Sequence, residues 1–122
     1  MVWVYQQSSG KLSRNGKLIG IGYAGADKGK NNPELQNVSN VGPLPRGKYI
    51  ITGRPFNHPT TGKYSIRLQP CPSNEMFGRA GFLIHGDSIT RPGTASTGCI
   101  IMPLRTRQEI WASNDRYLEV IQ

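Results

Sequence analysis

Cysteine and histidine are scarce in this sequence, which has only Cys71, Cys99, His58 and His85. Two histidines and scattered carboxylates form no recognisable ligand spacing, so a zinc module is excluded and no metal or cofactor is expected. A disulfide is possible by count alone. Cys71, however, lies between two prolines in a predicted loop without a motif, so both thiols are expected to stay free.

Acidic residues are also few, because seven Asp and Glu stand against 15 Lys and Arg and none occurs from Leu35 to Asn74. Such an excess of positive charge points to an anionic partner, for which nucleic acid and cell-wall polymer are the two candidates. The basic residues form no run, and no helix-turn-helix pattern or aromatic RNA-binding signature is present, which argues against nucleic acid. Any single Lys or Arg is equally compatible with a solvated surface.

Long apolar runs are absent. None approaches the roughly 20 residues that a membrane-spanning helix needs, so no membrane insertion is expected. The amino-terminal segment Met1–Gln7 has no basic region and no small-residue cleavage site, and it is typical of a strand rather than of a signal peptide. Any export is therefore expected to use a route without a cleaved signal.

Glycine and proline are plentiful and spread along the chain, which favours a β-rich fold with many turns. Asn15-Gly16 predicts a two-residue hairpin, and Pro103 predicts the start of a short helix that continues to Trp111. The segment from Ala24 to Leu44 predicts a long loop, a candidate wall for a substrate groove. We expect one monomeric domain, residues 1–122, built as a mainly β twisted mixed sheet or sandwich of seven or eight strands with one helix.

The most informative stretch links a histidine and a cysteine to two short apolar runs. Phe82–Ile84 predicts a buried strand that ends at His85, and Ile100–Met102 predicts another that starts after Cys99. If these strands are neighbours, the imidazole can activate the thiol, whose isolated pKa is near ~8.5. Gly98 permits a sharp turn that lets consecutive N–H groups face an oxyanion. A nucleophilic cysteine is preferred to a pair that merely packs in the core.

Several motifs resemble those of a known family. His85, followed by Ser96-Thr97-Gly98-Cys99-Ile100, resembles the active-site signature of the L,D-transpeptidases of the bacterial cell wall, the YkuD-like fold. Gly42–Tyr49 is similar to the Pro-x-Gly-aromatic turn of that family. The short chain and the segments Tyr23–Gly25, Asn31–Pro33 and His85–Ser88 more closely resemble the type VI secretion L,D-transpeptidase effectors.

This resemblance implies a fold of the L,D-transpeptidase catalytic type and specific roles for the motif residues. Cys99 would be the nucleophile, His85 the base and later the proton donor, and the Gly86 carbonyl the group that orients the imidazole. The backbone N–H groups of Gly98 and Cys99 would form the oxyanion hole. Together with sequence proximity, it suggests the substrate-binding candidates Tyr23, Asp87, Ser88, Arg91, Ser96, Thr97 and Arg105.

The resemblance also implies a substrate and a biological setting. The enzyme would cleave the diaminopimelate to D-Ala bond of tetrapeptide stems, as an L,D-carboxypeptidase, or exchange the terminal D-Ala for another D-amino acid. It would be an antibacterial toxin made in the cytoplasm, delivered by type VI secretion components and active in the periplasm of a target bacterium. A cognate immunity protein would be a further partner.

Departures from the usual transpeptidase motif narrow this expectation. The segment between His85 and Ser96 is shorter than usual, which fits the effector branch. Thr97 stands in place of a histidine, and Ile101 in place of an asparagine or arginine, which argues against ordinary cross-linking. One alternative is a sortase-like cysteine acyltransferase, although the expected membrane anchor is missing. Another is a non-catalytic basic β-domain that binds cell wall or nucleic acid.

Overall fold

The structure is a computed structural model that describes residues 2–122, so Met1 of the predicted first strand lies outside the described residues. The described strands are β1 (Trp3–Gln6), β2 (Lys11–Arg14), β3 (Lys17–Ile21), β4 (Tyr23–Ala24), β5 (Gly47–His58), β6 (Gly62–Pro70), β7 (Leu83–His85), β8 (Ile100–Ile101) and β9 (Tyr117–Ile121). One α-helix, α1 (Leu104–Ala112), and two 3-10 turns, Asp27–Gly29 and Pro33–Leu35, complete this part of the chain. The predicted mainly β fold with a helix after Cys99 is confirmed.

All nine strands belong to a single mixed sheet in the order β3-β2-β1-β9-β5-β6-β7-β8-β4. Neighbours are antiparallel except for the pairs β1 with β9 and β7 with β8. The two edge strands, β3 and β4, are consecutive in the chain and separated only by Gly22, whose N–H donates to the Gly10 carbonyl at 2.8 Å. The two edges therefore meet at Gly22, and the sheet curls around its core.

Local sequence signals account for several of these elements. Asn15 and Gly16 have φ values of +55° and +75°, as the predicted hairpin turn between β2 and β3 requires. Helix α1 follows Pro103 as predicted, contacts β6 and β7, and buries Thr106, Arg107 and Ile110. Leu104 was expected on the apolar face and is 47% exposed. No helix among residues 2–122 is long and apolar enough to cross a membrane.

Gly22 allows the edges of the sheet to approach closely, because a methyl group there would overlap the carbonyl oxygen of Ile101. We expect Gly22→Ala to lower the free energy of unfolding by about 3 kcal/mol, since backbone on both sides restricts relaxation. Urea unfolding at equilibrium measures this loss. Gly16→Ala is the control: its added methyl group meets open space, so it should cost only about 1 kcal/mol for its positive φ. If the two variants lost the same free energy of unfolding, close packing of Gly22 against the Ile101 carbonyl would be contradicted.

Candidate active site

The register of β7 and β8 places the predicted histidine and cysteine on adjacent segments of the sheet. The strands are parallel, His85 is paired with Ile101, and Cys99 immediately precedes β8. The N–H of Leu83 donates to Cys99 Sγ at 3.3 Å, which places the thiol beside the start of β7. Extending the β8 register two residues back from Ile101 would put Cys99 opposite Leu83, on the face of the sheet that carries His85.

His85 is buried, with 3% of its surface exposed, and its ring has a fixed orientation. Nδ1 lies 2.8 Å from the Gly86 carbonyl oxygen. A carbonyl can only accept, so the proton sits on Nδ1 and the neutral ring presents the lone pair of Nε2. Burial lowers the pKa of His85 below its usual range. The hydrogen bond to Gly86 acts in the opposite direction, whereas the nearby Arg107 guanidinium lowers the pKa further. The imidazole is therefore neutral at neutral pH, and its Nε2 lone pair is available to accept a proton.

The Cys99 thiol is partly buried against the core. Burial raises the pKa of Cys99, and this effect outweighs the opposing influence of the Leu83 N–H and the Arg79 guanidinium. A histidine partner was expected to lower this pKa. Because burial disfavours the charged form of both groups, it favours a neutral thiol and a neutral imidazole at rest over an ion pair.

This protonation state predicts how the alkylation of Cys99 depends on pH. In a Cys71→Ser background, the rate of reaction with iodoacetamide should rise continuously with pH and reach no plateau below about pH 8.5, since only the thiolate reacts. Mass spectrometry of the modified peptide over a pH series measures the rate. A plateau already reached near neutral pH would show a thiolate-imidazolium pair and contradict the raised pKa.

Ser96 organises the turn that precedes the cysteine. Its side chain is only 1% exposed, accepts hydrogen bonds from Gly25 N (2.9 Å) and Gly98 N (3.0 Å), and donates to the Cys99 carbonyl at 2.6 Å. Ser96 was expected to bind substrate, but its hydroxyl is buried and fully engaged. The Gly98 N–H, an expected oxyanion donor, is also occupied, whereas the Cys99 N–H has no acceptor among residues 2–122.

Tyr23 and Asp87 hold the loop that follows β7. The Tyr23 hydroxyl donates to Asp87 Oδ1 at 2.6 Å and accepts from Ala95 N at 2.9 Å, while Asp87 also accepts from Ser88 N and Gly93 N. Burial and the bond to Asp87 raise the pKa of Tyr23 to about 12. Burial alone would raise the pKa of Asp87, but its hydrogen bonds hold it below the usual range. These predicted substrate-binding residues thus brace the loop.

The other predicted substrate-binding residues occupy different positions. Thr97 is exposed and lines the same cavity as Cys99. The Ser88 hydroxyl accepts from Arg91 N at 2.9 Å within its own loop. Arg91 and Arg105 are exposed, their guanidinium groups have no partner in the described part of the chain, and neither lines the Cys99 cavity. Proximity in sequence therefore does not bring these two arginines to the thiol.

Two cavities adjoin the β7-β8 pair. The thiol opens into the smaller one, of about 300 Å³, which the predicted long loop walls with Ser39 and Asn40. The larger groove, of about 790 Å³, includes Tyr23, Gly86 and Asp87 but does not reach Cys99. Because the reacting sulfur belongs to the smaller cavity, that cavity is the candidate site of bond cleavage. Gly86, the residue that follows His85, lines the larger groove.

Sequence reasoning missed two buried arginines beside the site. Arg79 donates only to backbone carbonyls, and nothing in its local sequence marks it. Arg107 donates from Nε to the Met102 carbonyl at 3.1 Å and from Nη1 to the Lys63 carbonyl at 2.8 Å. Its spacing from the buried Ile110, three residues later on the helix, was a usable signal for an inward position. Both arginines add positive charge near the candidate pair.

Two further expectations concern the pairing of the cysteines and the presence of metal ligands. Cys71 and Cys99 are both free, as predicted. Within residues 2–122, no three His, Cys, Asp or Glu side chains are grouped so that they could hold a metal ion. The remaining observations at the site all concern the thiol, the imidazole and the polar groups around them.

The family model of the Tlde1 domain matches residues 20–121. The chain belongs to the Tlde1 domain family, the type VI secretion L,D-transpeptidase effectors. Eight chains of solved structures match this Tlde1 domain in fold, among them L,D-transpeptidase 1 of Mycobacterium tuberculosis. That likeness, at 16% identity and a TM-score of 0.57, covers 99% of this chain and 61% of the transpeptidase chain. No curated protein matches the sequence.

The membership in this effector family that the sequence motifs predicted is therefore confirmed. The structural neighbour supports the same fold, a single mixed sheet of the L,D-transpeptidase type. The chain spans about three-fifths of the length of that neighbour. The rest of the transpeptidase chain is not matched by this chain, so the likeness is limited to the fold of the matched region.

Proposed function

We propose that this Tlde1 domain is a cysteine enzyme that acts on the tetrapeptide stems of peptidoglycan. It removes the terminal D-Ala from diaminopimelate as an L,D-carboxypeptidase, or exchanges it for another D-amino acid. The observation that supports the proposal is the pairing of β7, which ends at His85, with β8, which begins directly after Cys99, together with the contact of His85 Nδ1 with the Gly86 carbonyl. Membership in the Tlde1 family supports peptidoglycan as the substrate.

The first half of the proposed reaction forms a thioester. As the Cys99 sulfur attacks the diaminopimelate carbonyl carbon, its proton passes to Nε2 of His85. The carbonyl oxygen becomes an oxyanion, to which the free Cys99 N–H donates. Collapse of this intermediate breaks the C–N bond, and the His85 imidazolium gives its proton to the leaving D-Ala nitrogen. The Gly86 carbonyl keeps the ring oriented through both proton transfers.

The second half releases the acyl group. Water, or the amine of another D-amino acid, attacks the thioester while neutral His85 accepts its proton. The C–S bond breaks, and the proton returns to the Cys99 sulfur. Water leaves a tripeptide stem with a new carboxylate, whereas an amine leaves a new tetrapeptide. Both outcomes remove the D-Ala-terminated stem that serves as a donor for cross-linking.

The proposed setting follows from the family and the charge. The protein would act as a monomeric toxin in the periplasm of a target bacterium, after type VI delivery, and a cognate immunity protein would neutralise it. Its formal net charge of +8 favours encounter with a wall whose stem peptides bear carboxylates. The acid-free tract contributes exposed Lys48, Arg54 and Lys63 to this charge.

Incubation of the purified protein with tetrapeptide muropeptides in H₂¹⁸O tests the proposal. Mass spectrometry should detect tripeptide products that carry one ¹⁸O in the new carboxylate, together with free D-Ala. In the presence of excess D-Met, exchange would add a D-Met tetrapeptide without ¹⁸O at that bond. If the tetrapeptides stay intact under both conditions, the domain does not perform this chemistry, and a wall-binding role is favoured.

A further inference from the structure

Arg79 connects three segments of the chain around the Cys99 cavity. Nη1 donates to the carbonyl oxygens of Gln36 (2.6 Å) and Pro43 (2.8 Å), and Nη2 donates to those of Gly42 (3.0 Å) and Thr97 (3.2 Å). Four hydrogens of the guanidinium are therefore used on backbone acceptors. The arginine fastens the long loop after β4 to the turn that leads into the nucleophile.

The charge of this arginine is not balanced by a carboxylate. Arg79 is only 7% exposed, its plane lies over the Phe82 ring with Cζ 5.2 Å from the ring centroid, and no acidic side chain pairs with it among residues 2–122. No Asp or Glu lines the cavity that it shares with Cys99. A guanidinium stays protonated under all ordinary conditions, so a permanent positive charge lines the same cavity as Cys99 and acts to lower the pKa of its thiol against the larger effect of burial.

Gly98 shows how closely the guanidinium approaches the turn. A Cβ atom at that position would lie 2.6 Å from Arg79 Nη2 and 2.8 Å from Phe82 Cε1. Only glycine leaves space for the arginine against the backbone immediately before Cys99. The close approach and the bond to the Thr97 carbonyl place the charge next to the residues where a thiolate and an oxyanion would form.

We propose that Arg79 is a positioning residue for the chemistry of Cys99, which fastens the cavity wall and stabilises negative charge on the sulfur without binding substrate. The inference rests on the proposed nucleophilic role of Cys99. The two parts of this role are separable, because lysine keeps the charge but cannot make four hydrogen bonds in a fixed plane. Glutamine removes the charge and also shortens the hydrogen-bonding group.

The test combines thiol titration with turnover in Cys71→Ser protein. For Arg79→Gln, the midpoint of the alkylation rate against pH should rise by about 1 unit, as for loss of a nearby opposite charge. At pH 7.5 the alkylation rate should fall only about threefold, because the smaller fraction of thiolate is partly offset by the greater nucleophilicity of a more basic thiolate. For Arg79→Lys, the midpoint should stay close to that of the parent, while conversion of tetrapeptides falls at least about tenfold from the loosened wall.

Arg54→Gln is the matched control, because it removes the same charge from an exposed position on β5 without a partner among the described residues. It should change neither midpoint nor turnover. Equal midpoints in Arg79→Gln and the parent, or unchanged turnover in Arg79→Lys, would overturn the inference. If Arg79→Gln does not fold, as judged by circular dichroism, the Arg79→Lys result decides alone. Activity that persists in Cys99→Ala would refute the proposed function instead.

Discussion

Cys99→Ala should reduce the conversion of tetrapeptide to tripeptide stems at least about a thousandfold, because no other group can form the acyl-enzyme. Cys99 lines a cavity together with Thr97 and Gly98, and it directly precedes β8, the strand that pairs with the His85 strand. The fold should persist, since alanine removes one partly buried sulfur. Quantified muropeptide products and a thermal unfolding curve measure the two effects.

Cys71→Ser is the matched control for the nucleophile. Cys71 follows β6, its N–H donates to the Lys48 carbonyl at 2.9 Å, and it does not line the Cys99 cavity. Turnover in this variant should stay within about twofold of the parent, as expected for a residue outside the reaction. Full turnover in Cys99→Ala would assign the chemistry to another group, and loss of turnover in Cys71→Ser would indicate a second essential thiol.

His85→Ala should lower turnover by about 10²–10⁴-fold, the range for loss of a general base. The pKa of His85 is depressed by burial, so its neutral, active form should persist below the ordinary histidine pKa of about 6.5. The rate of the parent should therefore rise with pH through a pKa below that value and level off near neutrality. A profile of kcat/KM against pH, measured with tetrapeptide, tests both statements.

His58→Gln is the control for His85→Ala, because it removes the other histidine of the sequence. His58 Nδ1 accepts from the N–H groups of Thr60 (3.0 Å) and Thr61 (3.1 Å) at the end of the β5-β6 hairpin, so its hydrogen bonds are local, while its charge contributes less than burial and Arg107 to the lowered pKa of His85. Its profile should keep an acid limb, displaced slightly to higher pH because the His58 charge no longer lowers the pKa of His85. If residual activity in His85→Ala kept the acid limb of the parent, the titrating base would be a different residue.

Local signals explain which parts of the fold were predictable. Asn15-Gly16 tolerates positive φ, Pro103 cannot continue a strand, and the short apolar runs beside His85 and Cys99 suit buried strands, so these features followed from neighbouring residues alone. Closure of the sheet at Gly22 was not predictable, because it depends on pairing between distant strands. Nothing in the residues around Gly22 identifies its partner.

The candidate site was predictable where side chains carry the chemistry and unpredictable where backbone groups do. The two short strands, one ending at His85 and one starting after Cys99, followed from the apolar runs in the sequence. Arg79 and Ser96 have backbone partners, which leave no pattern in the sequence. Burial of the thiol is likewise a property of the packed fold, so the direction of its pKa shift was not accessible from residue types.

A protonated resting sulfur also affects how the protein survives outside reducing conditions. Peroxides convert thiolates to sulfenic acid far more readily than thiols, so the raised pKa of Cys99 slows this damage. An enzyme that crosses into an oxidising compartment would keep its nucleophile intact until a substrate carbonyl arrives and His85 removes the proton. Under the proposed delivery into a target periplasm, the burial that makes the free thiol react slowly with iodoacetamide would also slow its oxidation.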